Sequence, residues 1–541
     1  MLVFTGFLCL FGIIVTTAAG LLWHAMARSR RNHLCPPLCQ APLPKVSVVL
    51  PCIAPTTAQL EHWKQDIKTL YQGPVEFIFV TALESDPAYE LLVKIRELHP
   101  EKVSVYTAGH AWHCSQRNHN ILEGIARLSS DSEMLLVLDP ECVPHPSTVT
   151  AMTKSLLQSP DVFVTSGYVF DMTPPEASLP AYLYLAYRLI TLPAAWSEHP
   201  PALWGGSLMY RTREIRANTY GILDRMRLGG YAYDLITMNL VKEFGRDVAC
   251  PRAAIMPFMI DGQMTTAQAW ERIRHLLYVG TTYSSPHERR ENRSLLVFAL
   301  VAGLIYAASF AFYVLLAIRG LAGLRATFME RLVLFFFTAA LIFAFESIRY
   351  MVYCLTLMCR LLASTSQRPV VELSMWTLVK AMPLACTMIV TAALSVLISP
   401  EIEAGGAIYT RARGRIVKVS RFRSDGSTYS EPLADSLQRA EQHYASLGFN
   451  PGPTYPPASR DASLEWHYRS TLALLWVTIA EPLVQLFMTT SYGQGAPRMH
   501  HMASPAIPSG SLPGEEATAT APAPGPAPAP AAPEPAPVAT Q

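Results

Sequence analysis

Charge is what this 541-residue sequence has least of: only 16% of its residues are Asp, Glu, Lys or Arg, while half are hydrophobic. A soluble enzyme carries about a quarter charged residues. The formal net charge of +2 removes the electrostatic footprint expected of a nucleic-acid binder. Ten cysteines are present, but no spacing repeats as a zinc or disulfide framework requires. Cys35 and Cys39 come nearest, with prolines between them and no second pair downstream. That usage fits a reduced, cytosol-facing main domain. No basic residue precedes the first apolar run, Leu2 to Trp23, as a cleavable signal peptide would need, although Thr17, Ala18, Ala19 and Gly20 resemble a cleavage site. The run is long enough to span a bilayer, and Arg28, Arg30 and Arg31 after it place the following domain in the cytosol.

Three further apolar runs, Ser294 to Ile318, Leu332 to Leu357 and Met375 to Ile398, read as transmembrane or re-entrant helices within 294–399. Glu346 and Arg349 lie three apart in the second run and can pair. A weaker run around 470–491 reads as an interfacial or transmembrane helix. Four full spans would leave the basic stretch Arg411 to Arg423 outside, against the positive-inside preference. That stretch, in a polar and basic linker over 400–469, reads as an anionic-lipid contact or a topology signal. From 502 to 541 the Pro- and Ala-rich tail lacks the apolar content to bury a core and is expected to be disordered.

Between Lys45 and about residue 290 the pattern alternates. Short apolar runs at Val46 to Leu50, Val75 to Val80, Val103 to Tyr106 and Met134 to Leu138 alternate with helical stretches. This predicts a mostly parallel sheet covered on both faces, with ligands at the carboxyl ends of strands. Asp86 follows the second strand, and Asp139 ends the fourth, two residues before Glu141. Such carboxylates either hold a divalent cation and a nucleotide or shape their turns before proline. Asp234 precedes an apolar helical segment, Leu235 to Val241, and reads as an N-cap or as a general base. Trp204-Gly205-Gly206-Ser207 is a tight turn before a strand. His110, His113 and His119 cluster in one loop, as solvated polar residues or as a metal site.

In order, Asp86-Pro87-Ala88, the strand-end Asp139, the Gly205 to Arg211 turn and Asp234 resemble the signature of the ceramide glucosyltransferase family, a branch of the GT-A glycosyltransferases. Tyr233 stands where that family has glutamate, and Glu271-Arg272-Ile273-Arg274-His275 keeps only the second arginine of its closing motif. The resemblance implies a GT-A-like α/β domain, one N-terminal and about three C-terminal transmembrane helices, and a multi-pass Golgi or endoplasmic reticulum location. It implies transfer of glucose from UDP-glucose to the primary hydroxyl of ceramide with inversion. By the same resemblance Asp234 is the base, Asp86, Gly205 and Arg274 bind substrate, and Asp139 with Glu141 holds Mg2+ or Mn2+. A nucleotide-sugar donor and a lipid acceptor follow as partners. A processive polysaccharide synthase of the same fold and an inactive, ligand-binding relative are the competing readings.

Overall fold

A computed structural model describes residues 42–446, apart from 54–59, 190–202, 322–326, most of 337–373 and scattered single positions. The expected spans at 2–23 and 470–491, and the tail, lie outside the described residues.

Seven strands form one mixed sheet in the order β3-β2-β1-β4-β7-β5-β8. They are β1 (Val46–Pro51), β2 (Val75–Thr81), β3 (Val103–Thr107), β4 (Met134–Leu138), β5 (Val162–Ser166), β7 (Ser207–Arg211) and β8 (Asp247–Ala249). β1 pairs in parallel with β2 and β4, and β2 with β3, so their carboxyl ends share one edge. β7 runs antiparallel between β4 and β5. Alternation along each strand divides the core. Val46, Val48, Leu50, Phe77, Phe79, Leu136 and Leu138 pack on one face with Trp63. Val49, Ile78, Val80, Leu135 and Val137 pack on the other. All six residues of β1 are buried, as expected of a strand covered on both sides. Two further strands, β6 (Tyr168–Met172) and β9 (Ile255–Met259), form a separate parallel pair.

Helix α1 (Tyr89–Leu98) returns the chain from β2 to β3, and α2 (Gln116–Ala126) from β3 to β4. Ser115 caps α2 by accepting from the Asn118 amide. Gly124 brings α2 onto the sheet: a Cβ there would meet Val49 Cγ1 at 2.4 Å. α3 (Pro146–Gln158), α4 (Leu179–Leu189) and α5 (Tyr233–Glu243) follow. α6 (Thr266–Val279) opens on a capping box between Thr265 and Gln268.

Beyond the sheet run two long helices, α7 (Pro286–Leu321) and α8 (Met375–Ile398). They contact each other, and α8 also packs against α4 and α6. Leu295, Leu304, Leu315 and Ile318 of α7 and Trp376, Leu384 and Ile398 of α8 are exposed. Several of their side chains lie outside the described set, and over the described residues alone no helix is long and apolar enough to cross a membrane. Glu346 and Arg349 form the expected pair at 2.7 Å.

The expected linker at 400–469 is corrected over its described part. Residues 401–430 form an antiparallel sheet, β10 (Glu401–Ala404), β11 (Ala407–Ala412), β12 (Arg415–Phe422) and β13 (Thr428–Ser430), followed by α9 (Leu433–Ser446). The polarity misleads because two of the arginines work inside. Arg411 donates to the Val396 and Ser399 carbonyls, and Arg421 is 6% exposed. Neither is placed to meet a lipid headgroup.

Candidate active site

A cleft of about 430 Å³ opens at the carboxyl edge of β1 and β4. Asp139 is the first residue after β4, and its amide donates to the Gly206 carbonyl at 2.8 Å. This bond continues the ladder that pairs Leu138 with Ser207 and places the Gly205–Gly206 turn beside the carboxylate. Across the turn, Asp234 lies in the first turn of α5. Ala232 is the N-cap of that helix, so the capping reading of Asp234 is set aside. A methyl group at Gly205 would come within 2.9 Å of the Asp234 carboxyl carbon. The absence of a side chain at Gly205 lets the turn and the Asp234 carboxylate lie this close.

Arg117 ties these parts together. It projects from the first turn of α2, and its Nη2 donates to Asp139 Oδ1 and to the Gly205 carbonyl. Its guanidinium lies 5.3 Å from the centre of the Tyr233 ring, and the Tyr233 hydroxyl also donates to the Gly205 carbonyl. Burial raises the Asp139 carboxyl above its usual range, while the charge and hydrogen bond of Arg117 pull it back. Glu141 is pushed up to about 7, by burial first and then by the charge of Asp139. Burial likewise raises Asp234, with Arg117 opposing.

Asp139 and Glu141 form an oxygen-donor set in which the charge of the first raises the second; Arg117 already pairs with Asp139, and Glu141 is not among the residues that line the cleft. That set fits Mg2+ or Mn2+, which take carboxylate oxygens and leave positions for phosphate. Asp139 and Glu141 are the residues that would hold the ion.

Two expected residues stand apart. Asp86 follows β2 but does not line the cleft; its Oδ1 accepts from the Ala88 amide at 3.0 Å, which is the turn-shaping role. Arg274 is directed elsewhere, donating to Ser395 Oγ and to the Glu401 carbonyl, both at 3.0 Å. It joins α6 to the end of α8, so the expected substrate contact is corrected. Its neighbour His275 does line the cleft and bonds the Tyr231 hydroxyl through Nε2 at 2.7 Å. Burial and then Arg117 lower His275 to about 4, so the ring is neutral at physiological pH.

Of the three histidines, His119 stands in α2 rather than in the loop. His119 spends both ring nitrogens, on Tyr444 Oη at 2.7 Å and on the Ala108 carbonyl at 2.8 Å. His113, Cys114 and His119 lie close enough to share a metal, but the bonds of His119 argue against it.

Sequence reasoning missed Arg117, and also the buried pair of Arg188 Nε with Asp171 Oδ2 at 2.8 Å, which lines the cleft. Recognising Ser115 as a helix cap would have placed Arg117 in a first turn. Nothing local signals the Arg188–Asp171 pair, because it joins α4 to β6.

No protein-family model matches the chain, and no curated protein does. Solved structures with a similar course of chain include a mannosyltransferase from Pyrobaculum calidifontis in complex with GDP-Man and Mn2+. It is 14% identical with a TM-score of 0.41, over 73% of this chain and 99% of that one. A mycobacterial protein is 15% identical with a TM-score of 0.25, over 43% and 74%. A GalNAc-T structure with UDP, GalNAc and Mn2+ is 11% identical with a TM-score of 0.29, over 43% and 48%. At these scores the likeness carries no argument about activity, and the chemistry rests on the site itself.

Proposed function

We propose that this chain is a glycosyltransferase that moves glucose from UDP-glucose to the primary hydroxyl of ceramide, with inversion at the sugar. The observation that carries the reading is the convergence of Asp139, Arg117, Gly205 and Asp234 in one cleft at the strand ends. A transferase of this kind needs a cationic place for a diphosphate and a carboxylate base across from it. The choice of glucose and ceramide rests on the ordered residues that resemble the ceramide glucosyltransferase family.

In this reading Asp234 accepts the proton of the acceptor hydroxyl as that oxygen bonds to the anomeric carbon and the nucleoside diphosphate leaves. Burial raises its carboxyl, with Arg117 opposing, and a raised carboxyl is the stronger base. Arg117 sits between Asp139 and Asp234 and keeps a positive charge on the donor side. A divalent ion on Asp139 and Glu141, when bound, would neutralise charge developing on the leaving diphosphate. Gly205 leaves room for the reacting groups to approach the Asp234 carboxylate.

A lipid acceptor is supported by the apolar surfaces of α7 and α8, since α8 packs on α4 and α6, whose Tyr184 and Leu276 line the cleft. The proposal includes these helices as bilayer segments beside a cytosol-facing cleft, in the Golgi or endoplasmic reticulum.

The test is transfer of labelled glucose from UDP-glucose to ceramide by membranes holding wild type or Asp234→Asn. Loss of a general base lowers turnover by roughly 10²–10⁴-fold, with UDP binding retained. Near-normal turnover in the variant would remove Asp234 from this role. UDP binding without transfer to any acceptor would favour the inactive relative.

A further inference from the structure

The β10–β13 sheet is joined to the cleft by an uninterrupted hydrogen-bonded network. Arg421, on β12, donates through Nη2 to Gln116 Oε1 at 2.6 Å and to the Ala111 carbonyl at 3.2 Å. Its guanidinium lies 5.4 Å from the centre of the Trp112 ring. Gln116 is 4% exposed and its side chain is fully engaged. Oε1 also accepts from the Ala111 amide, while Nε2 donates to the Gly109 carbonyl and to Asn120 Oδ1. Asn120 in turn donates to the carbonyls of Cys52 and Val80 at the carboxyl ends of β1 and β2. From β11, Tyr409 Oη accepts the Gln116 amide at 3.2 Å.

Further along, Tyr444 of α9 is fully buried against α2 and bonds His119. Ala404, Gly405 and Tyr409 line the cleft themselves. A Cβ at Gly405 would meet Ile53 Cγ2 at 2.9 Å, so the β10–β11 turn lies directly on the residue after β1 and Cys52.

We infer that residues 401–446 complete the donor half of the cleft, with Arg421 the positioning residue that fixes loop 109–116 and the first turn of α2. Gln116 and Arg117 are consecutive, so the clamp on the first sets the aim of the second at Asp139. A fully satisfied buried amide is rigid, because each partner of the network holds the others in one geometry. This inference rests on the nucleotide-sugar reading of the cleft. A loop so held matters to the nucleotide more than to the acceptor, which is expected from the α4 side.

The test uses full-length protein and two readouts: UDP affinity by calorimetry, and kcat and KM for UDP-glucose. Arg421→Gln removes a charge-assisted donor and is expected to weaken UDP about tenfold and to raise KM in step, with a smaller change in kcat. Arg421→Lys keeps the charge without the planar fork and should recover part of the loss. Tyr409→Phe, which leaves the ring in the core, should move UDP affinity in the same direction. Arg411→Gln cuts the contacts of the same sheet to the end of α8 and leaves Gln116 untouched, so it should weaken UDP less than Arg421→Gln does. Equal UDP binding by Arg421→Gln and wild type would overturn the inference. So would equal weakening by Arg411→Gln, since the sheet would then be a scaffold only. Absence of UDP binding by wild type would overturn the proposed function, and this inference with it.

Discussion

Replacing Arg117 by methionine isolates the electrostatics of the cleft. The substitution keeps most of the apolar stem and removes the cation between Asp139, Gly205 and Tyr233. Asp139 is 22% exposed and Arg117 28%, so the pair is neither fully dry nor freely solvated. A hydrogen bond to a charged group contributes about 1.5–3 kcal/mol, and the expected loss of stability above pH 7 is about 2 kcal/mol. The penalty depends on pH with a definite sign. Carboxyls whose folded pKa is raised, such as Glu141 at about 7, bind more protons folded than unfolded, so the folded state gains as pH falls through the raised value. Without Arg117 the carboxyls rise further, and protonated carboxyls need no counter-charge. Thermal unfolding of wild type and variant, in chelator to exclude bound ions, should therefore show a larger gap at pH 8 than at pH 5.5. An equal gap at both pH values would show that Arg117 acts by packing and would refute the electrostatic account. Turnover should be lost at either pH.

Gly205→Val should abolish transfer with only modest loss of stability, because the new side chain meets the Asp234 carboxylate; activity and melting temperature measured together check this. Chelation should silence wild type and added Mn2+ or Mg2+ restore it, if Asp139 and Glu141 hold the ion; full turnover in excess chelator would contradict the assignment. Acid should weaken the fold through His119, which burial lowers to about 4. A group depressed in this way favours the folded state only while neutral, so stability declines as pH drops from about 6.5 toward 4, by about 2 kcal/mol at pH 5. His119→Gln should flatten that part of the melting-temperature profile.

The α/β core was legible because its signals are local. Met134 to Leu138 is apolar at every position, ends at an acid, and forms β4 with those bounds. Gly205 was legible too, as a small residue in a turn. What escaped reading depends on contacts distant in sequence. Arg117 looks like any polar loop residue until β4 and β7 bring Asp139 and the Gly205 carbonyl to it. Arg274 was read as a substrate contact, but Ser395 and Glu401, more than a hundred residues on, take its guanidinium. The 401–446 segment looked like a linker because hydropathy counts Arg411 and Arg421 as solvated, whereas each donates inward, Arg411 to carbonyls and Arg421 to Gln116.

The late position of that sheet in the chain sets an order of assembly. During synthesis the strand end, turn and helix that carry Asp139, Gly205 and Asp234 emerge first, and α7 and α8 follow. Only then do Tyr409, Arg421 and Tyr444 appear, to close on a loop made some 300 residues earlier. Contacts of such sequence separation form slowly and late. The half-made chain therefore holds its acids before the Arg421 clamp on Gln116 is made, and a copy truncated before residue 401 would lack Ala404, Gly405 and Tyr409 from the cleft wall.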